Sequence, residues 1–183
     1  TQEIAITTNT LKQEANDIQN NSQEIDSIAT ASQDDVSRFN DTLNGFASRA
    51  EHSVKEAKYI YDALFTSLVK VDHIIFKHNA YVTILNEDVD VAKSFGDHHS
   101  CRLGKWFDTD GKELFGHTKA YTDILPFHKT VHDKVLDTIT CIDSKSCVEP
   151  KSKEMVVSNM RDVEIASFRL FELFKDMVNQ GNP

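Results

Sequence analysis

The sequence predicts an all-α fold: an antiparallel four-helix bundle whose first helix extends N-terminally as a long dimeric coiled coil. Glycine and proline are scarce, with 6 and 3 among 183 residues, and such a composition favours helix over sheet. Residues 1–86 contain no proline and a single glycine, Gly45. A seven-residue repeat of apolar and small side chains runs through the same stretch, which is typical of a left-handed coiled coil.

Two sets of seam positions repeat every seven residues in this stretch. The seam is rich in Ala, Ser and Thr, so it packs closely but buries little apolar area per turn, as in a bundle of marginal stability. A monomer of this mass cannot bury so long a seam, and a second copy of the chain is the simplest partner. The alternative is a plain spacer coil. The positions are Ile4, Leu11, Ile18, Ile25, Ser32, Phe39, Phe46, Ser53, Ile60, Ser67 and Ile74, and Thr8, Ala15, Ser22, Ala29, Val36, Leu43, Ala50, Ala57, Leu64, Val71 and His78.

A second apolar stripe begins near residue 60, at Phe65, Val69, His73, Phe76, Ala80 and Ile84. From here the helix has two faces to bury, one on the dimer seam and one against helices of its own chain. We therefore expect two domains, a coiled coil at 1–59 and a helix bundle at 60–183.

The remaining elements follow from local signals. Asn86–Asp90 interrupts the pattern, and residues 91–120 form a loop-rich segment with short helical turns around Ser100–Phe107 and Lys112–Phe115. Ser100 is a candidate N-cap that places Cys101 at a helix start. A helix is expected from about Tyr121 to Ile142, and the last helix from Pro150 to just before Gly181-Asn182-Pro183.

Charge and hydropathy exclude several classes of function. The chain carries 20 Lys and Arg against 29 Asp and Glu, and so acidic a surface argues against binding a nucleic-acid backbone. No run of about 18 apolar residues predicts a membrane span, and no signal peptide opens the chain. Because it begins with Thr1 in mid-pattern, we expect a fragment or processed product of a longer protein. Cys141 and Cys147 could pair across a short loop, but free thiols in a reducing compartment are the expectation.

One thiol and three imidazoles are candidates for a metal site. His128 and His132 lie four residues apart and project from one helix face, His73 lies in the inward stripe of the first helix, and Cys101 offers the sulfur. These donors suit a tetrahedral zinc site. The alternative from spacing alone is a small buried cysteine with three hydrogen-bonded core histidines.

The other histidines are weaker candidates. His78 falls on the seam side of the first helix, and His98 and His99 are expected in an exposed loop. Leu103 and Trp106 are expected to pack the Cys101 loop onto the bundle and shield the metal.

Three sequence elements occur in this order along the chain: Asp72-His73-Ile74-Ile75-Phe76-Lys77, Cys101-x-Leu103-Gly104-x-Trp106-Phe107 and His128-x-x-x-His132. Together they resemble the chemoreceptor zinc-binding domain family over roughly residues 60–180. The resemblance implies one Zn²⁺ per chain, held by His73, Cys101, His128 and His132 in a four-helix bundle. In the family a proline often directly precedes the first histidine of the pair, whereas here Phe127 separates Pro126 from His128.

The resemblance also implies a function. Family members are fused to chemoreceptor signalling domains or to diguanylate cyclases, and no cyclase motif occurs here. We therefore expect the C-terminal part of a soluble bacterial methyl-accepting chemotaxis protein, located in the cytoplasm at chemoreceptor arrays. Its partners would be a second copy of the chain and, through a receptor tip absent from it, the chemotaxis histidine kinase and coupling protein.

Three functions remain open from the sequence. The first is oxidant sensing, for example of hypochlorous acid, through a zinc-bound Cys101. The second is a zinc-level sensor in which metal occupancy is the signal, and the third is a structural dimerisation module. An enzyme is not expected, because four protein ligands leave no position for a reactive water.

Overall fold

The computed structural model describes residues 2–182, and every regular element in that range is helical. The predicted all-α bundle with a long first helix is confirmed. Pro183, which follows the predicted last helix, lies outside the described residues, as does Thr1. The elements are α1 (Gln2–Asn86), α2 (Val89–Ala92), α3 (Arg102–Phe107), α4 (Asp110–Phe115), α5 (Lys119–Ile139), a 3-10 turn (Thr140–Ile142) and α6 (Pro150–Gly181).

The chain divides into two compact units, Thr1–Val54 and Lys55–Pro183. Every described residue of the first unit is helical and exposed, including the apolar seam positions Ile4, Leu11 and Ile18. Pairing of this seam with a second chain therefore stays a prediction. Among the described residues, no helix has a stretch apolar enough to cross a bilayer.

Within the second unit, α1 buries the predicted inward stripe. Val69, His73, Ala80 and Ile84 are buried, and Phe65 and Phe76 pack partly buried against the core. The seam positions on the other side of the helix, such as Leu64 at 65 % exposure, remain accessible. The two-faced character expected from residue 60 onwards is thus present.

Helix α6 runs antiparallel to both α1 and α5. Lys77 Nζ lies 2.6 Å from Glu164 Oε2, and Lys58 Nζ lies 2.8 Å from Asn182 Oδ1. At the same end of α6 as Asn182, the backbone N–H of Ala120 donates to Gln180 Oε1 over 3.1 Å, and farther along α5 Lys134 Nζ lies 3.2 Å from Asn159 Oδ1. Helices α1 and α5 therefore run parallel, and the segment from α2 to α4 returns the chain between them.

Two apolar clusters lie above and below the histidine layer. Close packing of these clusters leaves His73, His128 and His132 almost without exposed surface, so their ring nitrogens need partners inside the protein. The first cluster contains Val69, Leu103, Phe107, Phe115, Ile124, Leu170, Phe174 and Met177; the second contains Ala80, Ile84, Val131, Val135, Ile142, Met160 and Val163.

Three local expectations need correction. Ser100 is not the cap of α3: its hydroxyl donates to Asp97 O over 2.7 Å within the preceding turn, and Cys101 is the N-cap. Helix α5 begins two residues before Tyr121, because the Thr118 hydroxyl accepts from Tyr121 N over 3.2 Å. It ends at Ile139, and the chain tightens into the 3-10 turn that follows.

Cys141 and Cys147 form a disulfide, so the expectation of free thiols at these positions is wrong. The turn after the 3-10 helix reverses the chain, with Lys145 at φ 49°. The Ser146 N–H donates to Cys141 O over 3.1 Å. This reversal leaves the two Cα atoms 4.9 Å apart, within the range that a disulfide bridges.

Candidate metal centre

The four predicted ligands, although distant in sequence, converge at one point of the bundle. His73 comes from the C-terminal part of α1, Cys101 from the N-cap of α3, and His128 and His132 from one face of α5. One ligand atom from each, a ring nitrogen or Sγ, lies within 4.8 Å of every other. The three histidines are buried, and Cys101 is partly buried.

Backbone carbonyls orient two of the imidazoles. His73 Nδ1 lies 2.8 Å from Val69 O, one turn earlier on α1, and His132 Nδ1 lies 2.9 Å from Gly96 O. Because a carbonyl oxygen only accepts, each Nδ1 must carry the proton, and each Nε2 then presents a lone pair. Hydrogen bonding of the far ring nitrogen in this way is typical of metal-binding histidines.

The Cys101 sulfur is held at the entrance of α3. Its Sγ accepts from the Gly104 N–H over 3.3 Å and lies 3.6 Å from His98 O. It also lies 3.2 Å from His128 Nε2. Burial raises the pKa of the Cys101 thiol, and the N–H groups of Gly104 and Leu103 oppose this only in part. Without a cation, the sulfur is therefore a thiol at neutral pH.

The imidazoles are held in the neutral form that binds metals. Burial, reinforced by the neighbouring histidines, lowers the pKa of His128 to about 2. Burial also lowers the pKa of His132 to about 4 and lowers that of His73. Protons therefore do not compete for these nitrogens near neutral pH.

The donor set fits zinc. Within residues 2–182, Nε2 of His73 and Nε2 of His132 are buried and have no hydrogen-bond partner, which is costly unless a ligand satisfies them. An ideal tetrahedral zinc separates sulfur and nitrogen donors by about 3.5 Å. The 3.2 Å contact between Cys101 and His128 and the 4.8 Å upper limit bracket that value. The alternative of hydrogen-bonded core histidines does not account for the two unpartnered nitrogens.

The flanking residues named from the sequence surround this cluster. The Phe76 ring lies 4.4 Å from that of His132, and Leu103 is 1 % exposed in the core beside Cys101. Trp106 packs 4.6 Å from Phe65 and so fastens α3 to α1. A side chain at Gly104 would collide with the backbone of His98. The turn before Cys101 can therefore pack this closely against α3 only because residue 104 is glycine.

An ion pair outside the cluster ties the same two elements together. Arg102 Nε lies 2.7 Å from Asp72 Oδ2, and these residues directly follow Cys101 and precede His73. Both side chains are partly exposed, so the pair contributes at most about 1 kcal/mol. Its value is positional, since it links the cysteine loop to α1.

Two features of the site were missed from the sequence. The backbone carbonyl of Gly96 orients His132, and no residue type could have signalled a carbonyl contact. His98 was expected in an exposed loop, yet its Nδ1 is buried and its ring lies 5.8 Å from that of His128. His99 and His78, by contrast, are exposed as expected.

Comparison with known proteins agrees with this geometry. Residues 73–139 match the family model described as the chemoreceptor zinc-binding domain. The matched range begins at His73 and includes the other three residues of the cluster. Neither a search of curated proteins nor a search of solved structures found a match. Zinc is the cofactor of this family, and the cluster is positioned to bind one metal ion. Residues 73–139 of this chain are therefore similar to the chemoreceptor zinc-binding domain family.

Proposed function

We propose that the domain senses oxidants through Cys101, with His73, Cys101, His128 and His132 as the zinc ligands. The observation that carries this proposal is the position of one sulfur among three neutral, buried imidazoles. When bound, zinc would keep the sulfur as a thiolate and leave it nucleophilic toward oxidants. No carboxylate belongs to the cluster, which favours a regulatory role over hydrolysis.

A cavity beside the cluster supports access of a small oxidant. It encloses about 250 Å³ and touches both Cys101 and His132. A cavity of this volume has room for a small oxidant such as hypochlorous acid. The remaining lining residues are Phe76, Asn79, Val91, Ser94, Phe95, Gly96 and Ser100.

The proposed reaction is a two-electron oxidation of the thiolate. With hypochlorous acid, the Cys101 thiolate becomes a sulfenic acid by forming an S–O bond, and chloride leaves with the electron pair of the broken O–Cl bond. The sulfenic acid no longer carries the negative charge that makes the sulfur a strong metal ligand. The loop from Gly96 to Cys101 is then free to repack.

The repacking would reach α1 through direct contacts. The Asp72–Arg102 ion pair and the Phe65–Trp106 contact join α3 to the helix that carries the heptad repeat. A shift of α3 therefore changes the forces on α1, and a weakly packed seam is suited to respond. We propose that this shift controls the chemotaxis kinase.

Kinase output in a receptor array tests the sensing role. Cys101→Ala should abolish the response to hypochlorous acid. The Cys141→Ala/Cys147→Ala double variant, which removes the other two cysteines, should keep it. An oxidant response that persists in Cys101→Ala would refute oxidant sensing at this residue.

Metal content tests the ligand set separately. Wild-type protein should contain about one zinc per chain, and His128→Ala/His132→Ala should contain none. His99→Ala/His117→Ala is the matched control, because it removes two exposed imidazoles and should retain the metal. Zinc bound equally well by both double variants would refute the site. A dissociation constant near the free zinc concentration of the cell would favour the zinc-level sensor instead.

The first unit is proposed to mediate dimerisation. Its apolar seam side chains, such as Ile4 at 72 % and Phe46 at 71 % exposure, are accessible to a partner helix. We propose a parallel homodimer in the cytoplasm, acting with the kinase and coupling protein at receptor arrays. Sedimentation of the wild type against a Leu11→Asp/Ile18→Asp variant tests the dimer, and equal masses would refute the seam.

A further inference from the structure

His98 is a fifth imidazole at the edge of the cluster. Its ring lies 5.8 Å from the His128 ring at an angle of 88°. Its backbone oxygen lies 3.6 Å from Cys101 Sγ, so side chain and backbone both adjoin the site. The ring is nevertheless outside the set of four whose ligand atoms lie within 4.8 Å of one another.

The buried ring nitrogen of His98 is unexplained by the four-ligand site. Within residues 2–182, Nδ1 of His98 has no hydrogen-bond partner and no exposed surface. A buried polar atom left unpaired costs about 1–3 kcal/mol. The neighbouring His99 differs: its Nδ1 lies 3.1 Å from Asp108 Oδ2, and its side chain is 58 % exposed. Of these two adjacent histidines, only His98 directs an unsatisfied nitrogen into the protein.

The loop that carries His98 also carries Cys101. The Asp97 carboxylate accepts from the N–H groups of His99 and Ser100 over 3.1 and 3.0 Å, and this turn connects the two candidate donors. Gly96 O holds the other end of the loop on His132. A movement that withdraws Cys101 from the cluster therefore moves His98 as well, while the loop stays anchored on α5.

We propose that His98 is a reserve metal ligand that takes the fourth position when the Cys101 sulfur leaves it. A site with four imidazoles is acceptable to zinc, which has no strong preference between nitrogen and sulfur. Loss of the sulfur would then exchange one ligand for another and retain the metal. This inference rests on the proposed ligand set, and it specifies how that site responds to loss of its sulfur.

Cobalt binding tests the exchange without any oxidant. Co²⁺ bound to the wild type should show a sulfur-to-cobalt charge-transfer band and the intense visible bands of a tetrahedral ion. Cys101→Ala should lose the charge-transfer band and keep the tetrahedral bands. Cys101→Ala/His98→Ala should bind Co²⁺ at least ~10-fold more weakly and lose tetrahedral intensity, because even supporting groups around a metal affect affinity by that much. Cys101→Ala/His99→Ala, the matched control, should behave as Cys101→Ala.

The outcomes separate this inference from the proposed function. Equal affinity and spectra for Cys101→Ala with and without His98 would overturn the reserve ligand and leave the four-ligand site intact. A wild type that binds neither cobalt nor zinc would overturn both. A second measurement avoids the Cys101 variants: zinc release after hypochlorous acid treatment should be larger for His98→Ala than for wild type or His99→Ala. Equal release from all three would also overturn the proposal.

Discussion

Substitution of Gly104 by alanine isolates the role of the backbone in shaping the metal site. Gly104 lies in α3, three residues after Cys101, and its N–H donates to Cys101 Sγ. An added Cβ would lie 2.0 Å from His98 O and 2.7 Å from His99 Cα. Both obstacles are backbone atoms, which cannot rotate away as a side chain does.

The size of the effect follows from these distances. An ordinary contact requires about 3.5 Å, so the turn that carries His98 has to retreat by more than ~1 Å. Forcing an extra carbon into a packed site costs about 1–3 kcal/mol. The same retreat displaces Cys101, and metal sites tolerate ligand displacements of only about 0.5 Å. We therefore expect zinc affinity to fall at least ~10-fold and thermal stability to decrease.

Competition against a chromophoric zinc chelator measures the affinity, and circular dichroism measures the stability. Gly45→Ala is the matched control, because no atom lies within 4 Å of its added Cβ and its position is helical and exposed. That variant should keep wild-type affinity and gain up to about 1 kcal/mol in helix stability. Gly104→Ala with wild-type zinc affinity would refute the argument that glycine is required for the loop to reach α3.

Three further predictions concern protons and sulfur. Burial raises the pKa of the Cys101 thiol, so zinc binding should release about one proton from it. Zinc affinity should therefore rise roughly tenfold per pH unit near neutrality. Calorimetry in buffers of different ionisation enthalpy measures the number of protons released. In the metal-free protein burial lowers the pKa of His132 from 6.5 to about 4. The stability that depends on the neutral imidazole should therefore be complete above pH 6.5 and decrease as pH falls from 6.5 towards 4, as urea unfolding at each pH should show. A pH-independent unfolding free energy would contradict this. Reducing the Cys141–Cys147 disulfide should cost about 2 kcal/mol, and thermal unfolding of Cys141→Ala/Cys147→Ala should be insensitive to reductant.

Much of the helical architecture was predictable because its signals are local. The absence of proline from residues 1–86 and the spacing of Val69, His73 and Ala80 predict a long helix with one buried face, and that helix is present. Pro150 opens α6 as expected, since its fixed φ suits the first helical turn. The predicted starts of α3 and α5 were less accurate, because each depends on which hydroxyl is free to cap the helix. The Ser100 hydroxyl donates to Asp97 O and does not cap α3, whereas the Thr118 hydroxyl caps α5.

The candidate ligands were predictable because polar residues on an apolar face require an explanation. His128 and His132 interrupt the buried stripe of α5, and their spacing alone places them side by side. The pairing of Cys141 with Cys147 was not predictable in the same way. It depends on a chain reversal with Lys145 at positive φ, and a lysine does not predict that backbone conformation.

The chain's periodicity and residue types alone determined the helices, the inward stripe of α1 and the chemistry of the four donors. Only the tertiary structure decided that His73, Cys101 and the α5 pair meet, that the Gly96 carbonyl selects the tautomer of His132, and that His98 turns inward. The physical reason is range: helix propensity and periodicity act over one or two turns, whereas these contacts join segments from α1, the Cys101 loop and α5, whose meeting depends on how the whole core packs.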